Sequence, residues 1–285
     1  MTEFVAEPRA VRRRVSLIQH VQELWRYREL TLNLVIRELK ARYKNSVLGF
    51  VWSLLNPLGM MLVFTLVFTV MVPSSDLRNY PVFFLCGFLP WQYFTTAVMS
   101  GMQSLVNNSN LVKKAYFPRE VLPTSSVLAN LVNFLLALVV LFGALLVTNT
   151  HISSYIWLLP VVVLIQTCFV LGVALILSTL NVFYRDTGMI MEVVLQAWFF
   201  LTPIFYPIEA LPRSVELAGF TLNLHRMMYI LNPMASLIAA YRDLLYWGYR
   251  TNMDFFMRTA VTSLIVLLFG YWFSLRYSHR FGEEL

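Results

Sequence analysis

The sequence predicts an all-α integral membrane protein with six transmembrane helices, an N-terminal amphipathic interface helix, and re-entrant outer helices between spans five and six. Three observations carry that prediction. The 285 residues are 58% hydrophobic and only 13% charged, with mean hydropathy +0.65, whereas a soluble domain runs at about a quarter charged. Charge-free stretches recur along the chain, and several exceed the roughly 20 residues that cross a bilayer as a helix. Lys and Arg concentrate on alternate connections between those stretches, as the positive-inside rule requires. The runs are continuous rather than alternating ten-residue segments, which argues against a β-barrel.

In chain order, residues 1–19 are a basic tail carrying Arg9, Arg12, Arg13 and Arg14. No cleavable signal peptide is expected, because the chain is charged and polar before its first apolar run. Residues 20–45 read as an amphipathic helix. Leu32, Val35, Ile36, Leu39 and Tyr43 recur at three- and four-residue spacing, with Arg26, Arg28, Arg37, Lys40 and Arg42 among or opposite them. Such a helix lies in the cytoplasmic membrane interface or packs on a partner; both readings stand.

Residues 46–285 read as one transmembrane domain, with spans expected at 50–72, 82–105, 122–147, 155–180, 188–206 and 256–275. Asn56-Pro57 predicts a kink near the start of the first span. The connection 107–120 bears Lys113, Lys114, Tyr116 and Phe117 before Pro118 and Arg119; it is longer and more aromatic than a simple turn requires, which suggests docking in the cytoplasm. Asn149-Thr150-His151 supplies the turn between spans three and four. After the fifth span, prolines at 203, 207 and 212 interrupt the chain, and 227–241 resumes apolar character without the length to cross. Proline-broken apolar segments are tolerated at membrane depth only inside protein or beside a watery cavity. Residues 207–241 therefore read as re-entrant on the outer side, with a plain extracellular loop as the alternative.

Sixteen of the 22 Lys and Arg residues fall on the side that includes both ends of the chain. Both termini are thus expected in the cytoplasm, which requires an even number of spans. The net charge of +7 lies beside the spans, where anionic membrane lipids are the simpler partner than nucleic acid.

The sequence offers little catalytic chemistry. His20, His151, His225 and His279 are scattered without metal-ligand spacing. Cys86 and Cys168 fall in separate spans and read as buried thiols. Arg185-Asp186 and Arg242-Asp243 read as local ion pairs or helix-end features. No catalytic or metal-ligating residue is predicted, and no cofactor is expected in this chain. A proton- or sodium-driven carrier places ionisable groups near the bilayer midplane, and only Glu192 comes near to that. The lysines are Lys40, Lys44, Lys113 and Lys114, none after a glycine, so no Walker A loop exists to cradle a nucleotide. If ATP provides the energy, a separate subunit holds the ATP and Mg. An ATP-independent flippase and a membrane-bound transferase remain as other classes, each lacking its diagnostic residues.

Several segments carry a resemblance. Arg37-Glu38-Leu39-Lys40-Ala41-Arg42-Tyr43-Lys44 followed by Ser46-Val47-Leu48-Gly49-Phe50-Val51-Trp52-Ser53-Leu54-Leu55-Asn56-Pro57 resembles the entry to the first span of ABC-2 type permeases, and most closely the Wzm group. Asn110-Leu111-Val112-Lys113-Lys114-Ala115-Tyr116-Phe117-Pro118-Arg119-Glu120 is similar to that family's cytoplasmic coupling segment. Asn181-Val182-Phe183-Tyr184-Arg185-Asp186, Leu201-Thr202-Pro203-Ile204-Phe205-Tyr206-Pro207 and Leu231-Asn232-Pro233-Met234 follow in the family's order. The resemblance covers residues 20–275 and leaves the basic tail outside. It implies a homodimer joined to two Wzt-like ATPase subunits in the bacterial inner membrane. The implied cargo is an O-antigen-like polysaccharide on an undecaprenyl diphosphate lipid, with teichoic acid or another amphiphile as the nearest alternative.

On that resemblance, site residues follow as expectations. Trp52, Trp91, Tyr93, Phe94, Trp198, Phe199 and Phe205 are candidates for an aromatic passage, since sugar rings present apolar C–H faces; core packing is the competing reading for each. Arg37, Lys40, Arg42 and Lys44 form a cationic cluster for the lipid diphosphate or for topology anchoring. Lys113, Lys114, Tyr116, Phe117 and Arg119 are expected to couple to the ATPase, and Pro203, Tyr206 and Pro207 to form an outer gate.

Overall fold

The structure, a computed structural model, describes residues 26–44, 51–68, 79–148, 153–217 and 220–285. The basic tail, the first turns of the expected interface helix, residues 46–50 of the entry motif and the 149–151 turn lie outside the described residues. In chain order the elements are α1 (Arg28–Tyr43), α2 (Trp52–Leu66), α3 (Tyr80–Asn107), α4 (Ser109–Lys114), α5 (Val121–Val147), α6 (Leu159–Phe183) and α7 (Thr187–Leu201). There follow a short hairpin of β1 (Ser214–Leu217) and β2 (Phe220–Asn223), then α8 (Leu224–Leu231), α9 (Pro233–Arg242), a π-helical turn (Asp243–Trp247) and α10 (Met253–Tyr277).

Among the described residues, four helices are long and apolar enough to cross a membrane: α3, α5, α6 with its leading 3-10 turn, and α10. They fall on the expected second, third, fourth and sixth spans. The helices on the expected first and fifth spans, α2 and α7, have 15 described residues each, about 22 Å of helix. The fifth span was expected to reach residue 206. It stops at Leu201, because Thr202 is extended (φ −105, ψ 134) ahead of Pro203, whose ring excludes the helical conformation from its predecessor. The 207–241 region also departs from an all-helical reading. Its first half is a 3-10 turn and the antiparallel hairpin, in which Ser214 pairs with Asn223, and helix begins only at Leu224.

Packing follows from what each helix presents to its neighbours. α3 is the hub, burying Phe83, Phe84, Phe94, Ala97, Val98 and Met102 against the other spans. α10 buries Phe256, Thr259, Ser263, Gly270 and Ser274 while exposing Met257, Val261, Leu264, Ile265, Leu268, Phe269 and Trp272. Small and hydroxyl side chains face protein and large apolar ones face out, the arrangement expected where the solvent is lipid. Where α10 crosses α6, a Cβ on Gly270 would strike the Gly172 carbonyl, and one on Gly172 would lie 2.6 Å from the Leu267 nitrogen. Glycine on both helices lets the backbones meet.

One polar network stitches the core. Gln166, fully buried on α6, donates from Nε2 to the Pro90 carbonyl oxygen of α3 at 2.7 Å. Its Oε1 accepts from the Tyr241 hydroxyl of α9, also at 2.7 Å. The Tyr241 ring meets Phe134 of α5 edge-on, Phe134 stacks on Tyr93, and the Tyr93 hydroxyl donates to Thr167 at 3.2 Å. Four helices are thereby tied together around the two hydrogen bonds of one side-chain amide.

The bundle has two distinguishable ends. At one, Leu34, Leu105, Val112, Val121, Leu122, Val182 and Phe281 form a separate apolar cluster ringed by Arg and Lys, here called the basic end. At the other, the start of α3 meets the end of α7, with α9 and the π turn packed alongside.

Candidate functional site

At the far end, two chain breaks of the same design face each other. α7 ends at Thr202-Pro203, and α9 begins after Asn232, which is extended (φ −115, ψ 94) before Pro233 at the first helical turn. The polar residue ahead of each proline binds the other. Asn232 donates from Nδ2 to Thr202 Oγ1 at 2.8 Å, and its Oδ1 accepts from Trp198 Nε1 at 2.9 Å and from the Ala235 amide at 3.2 Å. The Thr202 hydroxyl donates to the Trp198 carbonyl at 2.7 Å. Asn232 therefore caps α9 and ties it to α7 with one side chain.

Arg242, the last residue of α9, reaches the same place. It is 5% exposed and donates from Nη1 to the Pro203 carbonyl oxygen at 2.6 Å and from Nη2 to that of Ile204. Its guanidinium carbon stands 3.7 Å from the centroid of the Phe83 ring, a cation–π contact. Gly87 of α3 makes the room, since a Cβ there would lie 2.8 Å from Arg242 Nη2. A cavity of about 50 Å³ adjoins, lined by Arg242, Asp243, Glu209, Tyr229, Pro203 and Phe83 among others. Burial pushes the Asp243 carboxyl up to about 6; a Thr251 hydrogen bond and Arg242 oppose the rise, and Glu209 adds to it.

The expected gate residues stand in this junction. Pro203 is buried, and Tyr206 and Pro207 are half-buried. Phe205 is the centre of an aromatic cluster, its ring 5.0 Å from Tyr206, 5.6 Å from Phe68, 5.8 Å from Phe199, 6.0 Å from Phe200 and 6.3 Å from Phe64. Its carbonyl accepts from the Tyr80 hydroxyl at 3.0 Å. Of the seven candidate passage aromatics, Trp91, Tyr93 and Phe94 lie in the protomer core at 4%, 3% and 0% exposure, whereas Trp52 is 56% exposed. Trp198, Phe199 and Phe205 are half-buried. Trp91 contacts Trp198 and Phe199, and Phe94 contacts Trp198, so these two back the half-buried set, whereas Tyr93 faces Phe134 and Thr167.

At the basic end, α1 packs along α5, burying Leu34 and Val35. Its inward face is partly polar: Ser126 donates to Glu38 Oε2 at 2.9 Å, Arg42 donates to Asn130 Oδ1 at 3.0 Å, and Arg42 lies 3.7 Å from Glu38. Leu32 and Ile36 point outward, 57% and 47% exposed. Arg37, Lys40 and Lys44 share a third stripe with Asn33, Ile36 and Ala41, lining an open groove of about 860 Å³. The expected cationic cluster is thus divided: three members line one groove, and Arg42 serves the α5 contact.

Arg37 also donates to Asn108 Oδ1 at 2.7 Å, joining α1 to the 107–120 connection. There Lys113, Lys114 and Tyr116 are exposed, Tyr116 wholly so, while Phe117 and Arg119 are half-buried and pack on the rim of the separate apolar cluster at this end. Arg119 lies 5.8 Å from the Phe281 ring centroid, and burial draws its pKa down against the opposing pull of Glu120. Among the described residues no group of His, Cys, Asp and Glu has the geometry to hold a metal ion. Gln166 and Gly87 were not singled out in the sequence. A lone amide within a spanning run was the available signal for Gln166; Gly87 had none.

Comparison with known proteins bears on what these ends serve. A family model described as ABC-2 type transporter matches residues 29–246. The O-antigen export system permease protein RfbA of Myxococcus xanthus is 39% identical over 251 residues, covering 88% of this chain and 93% of that protein. The O-antigen export system permease protein RfbA of Klebsiella pneumoniae is 31% identical over 258 residues, covering 90% and 95%. The polysialic acid transport protein KpsM of Escherichia coli is 21% identical over 244 residues, covering 83% and 89%.

Proposed function

This chain belongs to the ABC-2 type transporter family, and on that premise we propose that it is the channel-forming subunit of an ATP-driven exporter of lipid-linked, O-antigen-like polysaccharide. The observation that carries the reading is 39% identity along 93% of an O-antigen export permease. In this reading the chain is a multi-pass protein of the bacterial inner membrane with six spans, α2 and α7 being the two short ones, and both termini cytoplasmic. It forms a homodimer and binds two Wzt-like ATPase subunits, which supply the ATP and Mg chemistry.

Each end then has a task. The basic end is cytoplasmic; α1 lies in the interface with Leu32 and Ile36 toward lipid, and its groove of Arg37, Lys40 and Lys44 receives the diphosphate of an undecaprenyl-linked glycan. Arg grips phosphate oxygens with paired donors, and Lys adds point charge. The exposed Lys113, Lys114 and Tyr116 dock on the ATPase, and Phe117 with Arg119 relays its movement into the apolar cluster beneath. Residues 207–241 are the re-entrant outer region, with Pro203, Tyr206 and Pro207 as the gate. Sugar faces pass over Trp52, Trp198, Phe199 and Phe205, with Trp91 and Phe94 supporting Trp198 and Phe199 from behind and Tyr93 set deeper in the core.

The test is complementation. Cells lacking their O-antigen permease receive this chain with its ATPase, and surface O-antigen is measured with antibody. Restored display supports the reading; a stable, membrane-inserted chain that leaves lipid-linked glycan inside the cell refutes it. The likeness to KpsM favours a second reading, capsular polysaccharide, which complementation of a capsule-export mutant would reveal instead.

A further inference from the structure

We propose that Arg242 is the positioning residue of the far-end closure: it pins residues 202–207 against α3 and α9 when the passage is shut, and exchanges those carbonyl oxygens for carboxylates when it opens. The proposal rests on the exporter reading for what passes, but not for how the closure is held.

A guanidinium excluded from water needs acceptors on every side. Arg242 is held by two backbone carbonyls and a ring face, and the carbonyls belong to Pro203 and Ile204. They lie just beyond the end of α7 at Leu201, where the chain has left the helix and no following turn supplies donors. The negative end of a helix dipole also favours a cation there. One side chain from α9 thus holds the segment that leaves α7, with Gly87 and Phe83 of α3 forming the floor.

A second set of acceptors borders the same cavity as Arg242. The Arg242 Nε is buried and has no hydrogen-bond partner, and Arg242 lines the 50 Å³ cavity together with Glu209 and Asp243. If 202–207 swings away, the guanidinium loses both carbonyls and meets carboxylates instead. Two alternative sets of acceptors for one charge define two states. Asn232, Thr202 and Trp198 form the neighbouring neutral joint, so Arg242 carries the charged part of the closure.

The experiment uses purified full-length protein in liposomes holding carboxyfluorescein, without ATPase or glycan, alongside export in complemented cells. Arg242→Gln is expected to leak dye at least about 5-fold faster than the parent at unchanged oligomeric state, and Arg242→Lys to lie between. Gly87→Ala, whose methyl displaces Nη2 without touching the charge, is expected to leak like Arg242→Gln. Glu209→Gln/Asp243→Asn is expected to stay tight at rest and to export more slowly. Arg242→Gln and Gly87→Ala proteins that are as tight as the parent overturn the pin, and Gly87→Ala decides alone if Arg242→Gln does not fold. Parental export by Glu209→Gln/Asp243→Asn overturns the exchange. Failure of the parent chain to restore export would count against the exporter reading only, since the leak assay contains no cargo.

Discussion

Gln166 is the residue whose loss can be costed most directly. Gln166→Met keeps the side-chain length but removes both the bond to the Pro90 carbonyl and the bond from Tyr241, each 2.7 Å and buried. Side-chain hydrogen bonds between helices in bilayers average about 0.6 kcal/mol and reach about 1.7. Two short ones at a fully buried site put the loss at about 1–3 kcal/mol. Tyr241→Phe removes one of them, for about 1–2 kcal/mol. In the double variant the Tyr–Gln bond is lost only once, and no buried hydroxyl is left without a partner. The double cost should therefore fall short of the sum by about 1 kcal/mol. Unfolding in mixed detergent micelles, followed by fluorescence of the seven tryptophans, gives the four values of the cycle. Costs that add to within about 0.3 kcal/mol would refute the network, because two residues 75 positions apart that do not touch have no reason to couple.

Other outcomes follow from the same reasoning. Gly270→Val drives a side chain into the Gly172 backbone and should cost about 1–3 kcal/mol, read as a lower midpoint in the same micelle assay; an unchanged midpoint counts against the close crossing. Asn232→Leu removes its bonds to Thr202, Trp198 and the Ala235 amide and should cost about 2–4 kcal/mol, with a changed Trp198 emission as the local readout. Phe281→Ala empties a fully buried site among Leu105, Val112 and Val182 and should cost up to about 3–5 kcal/mol; limited proteolysis should then cut the chain end faster. Because the folded Asp243 carboxyl titrates near 6, above its ordinary 3.8, the native state holds the proton more tightly than the unfolded one. Stability should thus fall as pH rises from about 4 to about 6, and Asp243→Asn should flatten that slope in thermal melts.

Much of the fold was legible because lipid imposes a simple grammar. Lengths between charges placed α3, α5, α6 and α10 within a few residues of their observed bounds. The early end of α7 was legible too, had Thr202-Pro203 been read as a stop rather than an interruption. The division of the cationic cluster needed only helix geometry: Arg37, Lys40 and Lys44 lie three and four residues apart, while Arg42 is five from Arg37 and about 140° around the helix. The aromatics were harder. In a membrane protein both core and passage are built of apolar rings, so nothing in the residue type separates Phe94 at 0% exposure from Trp52 at 56%. Arg242 was hidden by its neighbour: beside Asp243 it suggested a local pair, and its acceptors lie 38 and 39 residues away. Such partners are known only once three separate helices have met.

The crossing of α6 and α10 has a mechanical consequence. At Gly172 and Gly270 backbone rests on backbone, so no rotamer intervenes to absorb a push. Above and below that point each helix runs on, α10 from Met253 beside the far-end junction to Tyr277 beside the Phe281 cluster. The pair behaves as a stiff beam with a welded joint near its middle. A displacement imposed at Tyr277 is therefore expected to carry through the crossing to the Met253 end of α10, which packs against α9 through Phe255 and Ser236.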